Sequence, residues 1–161
     1  MPGAYRIQAF QRSQSAAGSY LASLMVGGED YLGREIDMTA GPPGPIKIVL
    51  SQDTATITGK VELETEGETV PVVAVPADPK FRTVDSLRMI PAGGDGSFTI
   101  RGLRPTEYLV FAFDQYQSGV LDDPDVLKKI EQKGTRIKAS AGQSTTVQLK
   151  ATEFPDEFAQ Q

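Results

Sequence analysis

The densest group of potential metal ligands in the sequence is a cluster of three aspartates, Asp122, Asp123 and Asp125. Carboxylate oxygens are the ligands that hard cations such as Ca²⁺ prefer, so the cluster is a candidate metal site. Its spacing does not match the D-x-[DN]-x-[DN]-G pattern of an EF-hand loop. Acidic residues also favour the start of a helix, where they cap free amide groups and interact with the helix dipole. The sequence therefore favours a helix cap over a metal site.

Two further groups of side chains could do chemistry or bind a ligand. Glutamates alternate at Glu62, Glu64, Glu66 and Glu68, so that they share one face of an extended segment. They could supply a glycosidase pair, but solvated charges that protect a sheet edge are the favoured interpretation. A second set could stack on sugar rings or be partly buried, and the sequence leaves both alternatives open. Its members are Tyr20, Tyr31, Phe81 and Tyr116.

The residue types that are missing narrow the function more sharply. The chain contains no His and no Cys. It therefore has no Ser-His-Asp or Cys-His arrangement, no zinc site of the usual nitrogen and sulfur type, and no haem with a histidine ligand. Catalysis would depend on carboxylates, Lys, Tyr or an oxygen-bound metal. We expect a protein that is not an enzyme and that has no cofactor.

Charge and hydropathy limit the partners. The net charge is -5 at pH 7. An acidic surface argues against nucleic acid and against anionic membranes, both of which attract basic patches. No apolar run approaches the roughly 20 residues that span a bilayer. The first residues also lack the basic and apolar regions of a signal peptide, so a signal for export would lie elsewhere.

The elements that must position these residues are short alternating runs separated by Gly, Pro and Asp, which is the pattern of an all-β protein. We predict an all-β, antiparallel β-sandwich of the Ig-like type, with one short helix near 125–133. The helix begins after Asp122-Asp123-Pro124 and ends at Gly134. Residues 64–69 are predicted to form a hairpin tip, and the apolar run 107–113 a central strand. The predicted strands are 5–10, 19–26, 35–38, 46–50, 54–63, 70–75, 97–100, 107–113, 136–139 and 145–150.

An internal echo predicts how the chain is divided. Residues 2–10 align with residues 105–113, an offset of 103 residues from Pro2 to Pro105, with Pro, Tyr, Ala and Phe matching. An Ig-sized sandwich has about 100 residues. Residues 1–50 are therefore interpreted as the second half of a preceding module, 51–151 as a complete sandwich and 152–161 as a polar tail. Chance similarity of two amphipathic strands is the alternative.

A half-module leaves a sheet edge unpaired, and an open edge can accept another strand. We predict that this assembly edge includes Tyr5, Ile7 and Ala9, which alternate along the first strand. Its partner could be the second module, a neighbouring chain or preceding sequence.

The second module resembles the carboxypeptidase regulatory-like family, whose sandwiches are also described as transthyretin-like or prealbumin-like. The most specific element is D-G-x-F…G-L-x-P-G-x-Y, in which Thr106 replaces the usual Gly. The matching segments, in family order, are residues 55–61 (ATITGKV), 70–76 (VPVVAVP), 95–103 (DGSFTIRGL) and 105–108 (PTEY). The resemblance covers about residues 54–151. It implies a scaffold without catalytic residues, found in exported bacterial proteins.

Within that pattern, Gly59 is expected where another strand approaches closely, and Asp95-Gly96 at a tight turn. Phe98 and Tyr108 are expected to pack between the sheets. Together with the family resemblance, these expectations favour a structural or adhesive module of an extracellular, cell-surface or periplasmic protein. Its partners would be other protein modules or copies of itself. The alternative is a module that binds carbohydrate or peptide, and a carboxylate-based hydrolase ranks last.

Overall fold

The computed structural model describes residues 3–7, 18–41, 44–65, 67–82, 86–114, 121 and 123–154. Within them the protein is mostly β, with antiparallel sheets and one short α-helix, which confirms the predicted fold class. The helix α1 covers Pro124–Ile130. The strands are β1 Ala4–Tyr5, β2 Tyr20–Val26, β3 Glu29–Asp30, β4 Ile36–Asp37, β5 Ile46–Ser51, β6 Ala55–Glu62, β7 Pro71–Pro76, β8 Arg88–Pro91, β9 Ser97–Leu103, β10 Glu107–Ala112, β11 Thr135–Lys138 and β12 Ser144–Lys150.

Two of the sheets, both within residues 55–150, form a sandwich. One has four strands in the order β11-β10-β7-β8, and the other has three in the order β12-β6-β9. Alternate residues of both sheets point inward and share one apolar core, in which Phe98 of β9 and Tyr108 of β10 lie on opposite sides, as expected. The glycine in the turn before β9 also has the predicted role, because Gly96 has a φ of 78°.

The four-stranded sheet is apolar on its outer face as well, because α1 covers it. Val73, Leu109 and Phe111 of that face pack against Val126 and Leu127 of the helix. Burial on both faces explains why the run 107–113 is the most apolar in the chain. Strand β10 lies between β11 and β7, so its predicted central position is confirmed.

The helix agrees with its sequence signals. Asp123 is the N-cap residue, and its side chain accepts a hydrogen bond of 2.8 Å from the backbone amide of Asp125. Pro124 occupies the first turn, and a short 3₁₀ helix, Glu131–Lys133, follows directly. Gly134 ends this second piece, as predicted. The predicted range of 125–133 therefore comprises both.

One predicted pairing is wrong, and one strand departs from the antiparallel pattern. Strands β6 and β7 do not form a hairpin around residues 64–69, because β6 pairs with β9 and β12 while β7 pairs with β8 and β10. The connection crosses from one sheet to the other, which lets both strands turn an apolar face toward one core. The strand that departs from the antiparallel pattern is β12, which runs parallel to β6 from the pair Ser144–Thr56 to the pair Lys150–Glu62. All other described pairings of strands are antiparallel.

The strands described between residues 3 and 51 form two small sheets, β3-β2-β5 and β1-β4. The predicted strand over 5–10 is shorter than expected at its described end, since only Ala4–Tyr5 is extended and paired, whereas Arg6 and Ile7 lie outside any strand. Residues 8–10 of that prediction lie outside the described residues. Strand β2 matches its predicted range to within one residue at its start.

These small sheets contact the sandwich at its loops. The carboxylate of Asp30 accepts a hydrogen bond from the Leu32 amide and lies 3.2 Å from Nζ of Lys80. The hydrogen bond from the Leu32 amide and the hydrogen bond from the Lys80 ammonium hold the pKa of Asp30 below its usual range.

At the other end of the chain, Phe154 is buried against Phe113, with 5.0 Å between the ring centroids. The first residues of the predicted polar tail are thus packed on the sandwich.

Candidate functional site: an exposed apolar edge strand

Strand β5 lies at one edge of the sheet β3-β2-β5 and is the most exposed apolar segment of the described chain. Only its inner edge is paired, with β2, and no described strand pairs with its outer edge. Four of its side chains are apolar and exposed, by 43% for Ile46, 47% for Ile48, 39% for Val49 and 54% for Leu50. Apolar side chains on both faces of an edge strand are a template for the addition of another strand.

The two edges of the four-stranded sheet are protected in ways that β5 is not. Edge strand β8 carries an exposed arginine at Arg88 and ends in a proline at Pro91, and both features oppose strand addition. Edge strand β11 exposes Arg136 and Lys138. In β5, Lys47 is the only charged residue. Among the described edge strands, β5 exposes the largest number of large apolar side chains, and this exposure singles it out as an edge that can accept another strand.

The backbone of β5 also points hydrogen-bonding groups outward, and no described strand pairs with them. The amide of Gly27 donates to the carbonyl of Pro45 at 3.1 Å, which makes residues 27 and 45 a hydrogen-bonded pair. Such pairs alternate along antiparallel strands, so Lys47 points its backbone groups toward β2. Ile46 and Ile48 then point theirs away from β2, and by the same alternation so does Leu50. A strand arriving at this edge meets donors and acceptors that no strand in the described part of the chain occupies.

The assembly edge predicted from the sequence is elsewhere in the fold. Tyr5 is in β1, where it is exposed and pairs with Ile36 of β4. Ile7 is half-buried and outside any strand, and Ala9 lies outside the described residues. The role of these three residues in assembly stays a prediction. The stronger edge, β5, was predicted as a strand but not as an assembly site, although its single charge in six residues was a visible signal.

The acidic residues are distributed over several surfaces. Asp123 is engaged as the cap of α1, Asp125 is exposed in the first turn, and Asp122 lies outside the described residues. In the part of the chain that the structure describes, no group of three or more acidic side chains is arranged to hold a metal ion. The metal site at these aspartates stays a prediction. Glu62, Glu64 and Glu68 are exposed, and Glu66 lies outside the described residues.

The described members of the aromatic set are partly buried, which agrees with one of the two alternatives left open. Tyr20 and Phe81 both lie against the Arg104 guanidinium, with their ring centroids 4.7 and 4.5 Å from its central carbon. Tyr31 packs separately on Arg34 at 4.8 Å, and Tyr116 lies outside the described residues. Because each of these rings stacks on an arginine, their faces are already partly occupied.

An open depression lies at the ends of β6 and β12. Its volume is about 1140 Å³, and its lining includes Lys60, Glu62, Asp95 and Lys150. The carboxylate of Asp95 accepts hydrogen bonds from the hydroxyl and amide of Ser97, and these bonds lower its pKa. The four charges balance and all four side chains are exposed, so the depression presents no selective ligand chemistry.

Comparison with known proteins gives a structural likeness only. No protein-family model and no curated protein matches the chain, so the resemblance to the carboxypeptidase regulatory-like family is unconfirmed. Among solved structures, the chain is similar to the Bacillus anthracis TIE protein, with a TM-score of 0.38, 13% identity, and coverage of 68% of this chain and 19% of that chain. It is also similar to GBS52, the minor pilin of the gram-positive pathogen Streptococcus agalactiae, with a TM-score of 0.38, 16% identity, and coverage of 88% and 63%.

The chain spans less than two thirds of the length of both similar structures. None of the helices that the structure describes has the length and apolarity that crossing a membrane requires.

Proposed function

We propose that the chain is a non-catalytic structural or adhesive module of an exported or cell-surface protein, and that it assembles by β-strand pairing. The observation that carries this proposal is the outer edge of β5, where Ile46, Ile48, Val49 and Leu50 are exposed beside backbone groups that no described strand pairs with. Edges of this kind associate unless they are protected. The partners are other protein modules or copies of the same chain.

The non-catalytic part of the proposal is supported by the composition and by the core. The sequence has no His and no Cys. Among the described residues every fully buried hydrogen-bonding side-chain atom has a partner, and no charged side chain is in the core. Active sites instead concentrate buried titratable groups with perturbed pKa values in a cleft. The assignment to the cell surface or another exported location rests on the family resemblance alone.

Light scattering of the purified chain over a concentration series, with electron microscopy of the same samples, tests the proposal. We expect defined oligomers whose population grows with concentration. A chain that stays at the monomer mass of 17.3 kDa at every concentration would contradict self-assembly.

A further inference from the structure

We infer that the outer edge of β5 pairs with the same edge of a second copy of this chain, antiparallel and around a two-fold axis at Ile48. The inference rests on the proposed function, because it names the partner and the geometry of strand pairing. It differs from that function in one respect. Pairing through a single self-complementary edge closes after two copies and cannot grow into a filament.

The charge of β5 favours a second copy as the partner. The whole chain carries a net charge of -5, so two copies repel at long range, and acidic residues opposed in their contact surface would add to that repulsion. Strand β5 contains no acidic residue and a single positive charge at Lys47. A strand of this composition can face its own copy without opposing like charges, provided that the two lysines are not opposite each other.

Symmetry and hydrogen bonding together select the register. In an antiparallel pair, directly opposite side chains lie on the same face of the sheet, so opposite residues are an even number of positions apart in the sequence. A two-fold axis perpendicular to the sheet must therefore pass midway between the two copies of one residue. Centring it on Lys47 opposes two like charges, which destabilises a cross-strand pair. Centring it on Val49 places Ile46 opposite Gln52, beyond the end of the strand.

Centring the axis on Ile48 avoids both problems. Ile48 then faces its own copy, Ile46 faces Leu50 of the second copy, and Lys47 faces Val49. The outward backbone groups of residues 46, 48 and 50 all find partners, since they become the hydrogen-bonded positions of the new ladder. The two three-stranded sheets join into one continuous sheet.

The size of the contact sets its strength. Stable interfaces bury roughly 1,200–2,000 Å² in total. Pairing along a six-residue strand buries less than this, so the dimer is weak and reversible. A concentration series or covalent trapping is therefore needed to observe it.

Variants with one cysteine each report the register of the two strands directly, because the natural chain contains no cysteine. In the inferred dimer, the two copies of residue 48 lie about 5.5 Å apart between Cα atoms, within the range that a disulfide bridges. The two copies of residue 50 are separated by four residues along the strand, or about 14 Å. Ile48→Cys and Leu50→Cys are matched variants, since both replace an exposed aliphatic residue of β5.

Under mild oxidation we expect Ile48→Cys to form a covalent dimer at least tenfold faster than Leu50→Cys, at equal concentration. Met89→Cys serves as the control for random collision, because Met89 is 48% exposed on the protected edge strand β8. If Leu50→Cys or Met89→Cys cross-links as fast as Ile48→Cys, the inferred register is wrong.

The non-covalent dimer is tested by light scattering of wild type, Ile48→Lys and Met89→Lys. We expect the apparent mass of wild type and Met89→Lys to approach twice 17.3 kDa, and that of Ile48→Lys to stay at the monomer value. An oligomer that persists in Ile48→Lys, or that grows beyond two copies, contradicts this inference but leaves assembly by strand pairing standing. A wild-type chain that is monomeric at every concentration contradicts both. Circular dichroism of each variant checks that it is folded.

Discussion

The guanidinium carbon of Arg104 lies 4.7 Å from the centroid of the Tyr20 ring, and this contact joins the first fifty residues to the sandwich. The Phe81 ring lies 4.5 Å from the same guanidinium carbon. Burial lowers the pKa of Arg104, although the group stays charged at any physiological pH. Strand β2, which pairs with β5 and so positions the candidate assembly edge, is held to the sandwich in part by this cation and the two rings beside it.

Replacing Arg104 with alanine should loosen this junction. Each cation–π contact is worth about 0.5–1 kcal/mol when exposed and about 2 kcal/mol when desolvated. We therefore expect Arg104→Ala to lower the free energy of unfolding by about 1–2 kcal/mol and to increase amide exchange in β2. Urea denaturation and hydrogen exchange measure the two effects. Arg101→Ala, which removes an exposed arginine of β9, is the control and should change neither. Equal losses in the two variants would contradict a junction at Arg104.

A methyl group on Gly59 should destabilise the sandwich. The Cβ of an alanine there would collide with the backbone carbonyl of Val147 on β12 and would lie 2.6 Å from the ring of Phe98. Overpacking of a core costs about 1–3 kcal/mol, and a clash with backbone is at the upper end. We expect Gly59→Ala to lower the Tm by several degrees in a thermal melt. Gly3→Ala is the control, because its Cβ would meet nothing closer than the Tyr5 ring at 3.8 Å.

Alkaline pH should weaken the fold through Tyr108. Burial is the main cause that raises the pKa of Tyr108 to about 12, and its hydroxyl donates to the carbonyl of Arg104 at 3.1 Å. The folded chain therefore keeps the proton up to a higher pH than the unfolded chain, whose tyrosine titrates near 10. The stability that this group supplies is fully present below pH 10 and is lost as the pH rises toward 12, by an amount on the order of 2–3 kcal/mol.

The variant Tyr108→Phe isolates that effect. We expect it to cost about 1 kcal/mol at pH 7, where it removes a hydrogen bond and leaves a carbonyl unpaired. Between pH 10 and 12 its stability should fall less steeply than that of wild type. Urea denaturation at several pH values gives both quantities. Parallel curves for the two proteins would show that Tyr108 does not control the alkaline transition.

The sequence predicted the local structure well where one physical rule decides it. The cap at Asp123, the proline at Pro124 and the stop at Gly134 are local signals, and they bounded the helix correctly. Alternation in residues 55–62 identified the buried face of β6, because only one side of that strand meets the core.

Pairing and exposure depend on distant residues, and here the sequence was a weaker guide. Alternation does not say which strand lies beside β6, so its parallel partner β12 was not predicted. The run from Val72 to Val75 is apolar on both faces, because α1 covers the face that does not meet the sandwich core. Nothing in the run itself predicts which element covers that face. For the same reason the apolar run Ile46–Ser51 predicted a strand but not its exposure.

Removing the cap of α1 should destabilise the packing of this helix against the outer face of the four-stranded sheet. The side chain of Asp123 accepts a hydrogen bond from the Asp125 amide, and losing such a cap costs about 1 kcal/mol. We expect Asp123→Ala to show this loss in urea denaturation and Asp123→Asn, which keeps a cap oxygen, to stay close to wild type. Repeating the melts with millimolar Ca²⁺ tests the predicted metal site. A Ca²⁺-dependent rise in Tm that Asp123→Ala abolishes would assign the cluster to a cation.

Salt should strengthen the association of two copies. Each copy carries a net charge of -5, while the pairing strand contributes only Lys47, so the long-range force between copies is repulsive. The Debye length falls from about 30 Å at 0.01 M to about 8 Å at 0.15 M salt, which screens this repulsion. Coulomb's law gives a change on the order of 1 kcal/mol, so we expect roughly fivefold tighter dimerisation at the higher salt. Analytical ultracentrifugation at both salt concentrations measures it, with Lys47→Gln as the control that should show the same trend. An association that weakens with salt would instead point to ion pairs between the copies, and that result would exclude as the contact the edge of β5, which carries only Lys47 and so offers no ion pair.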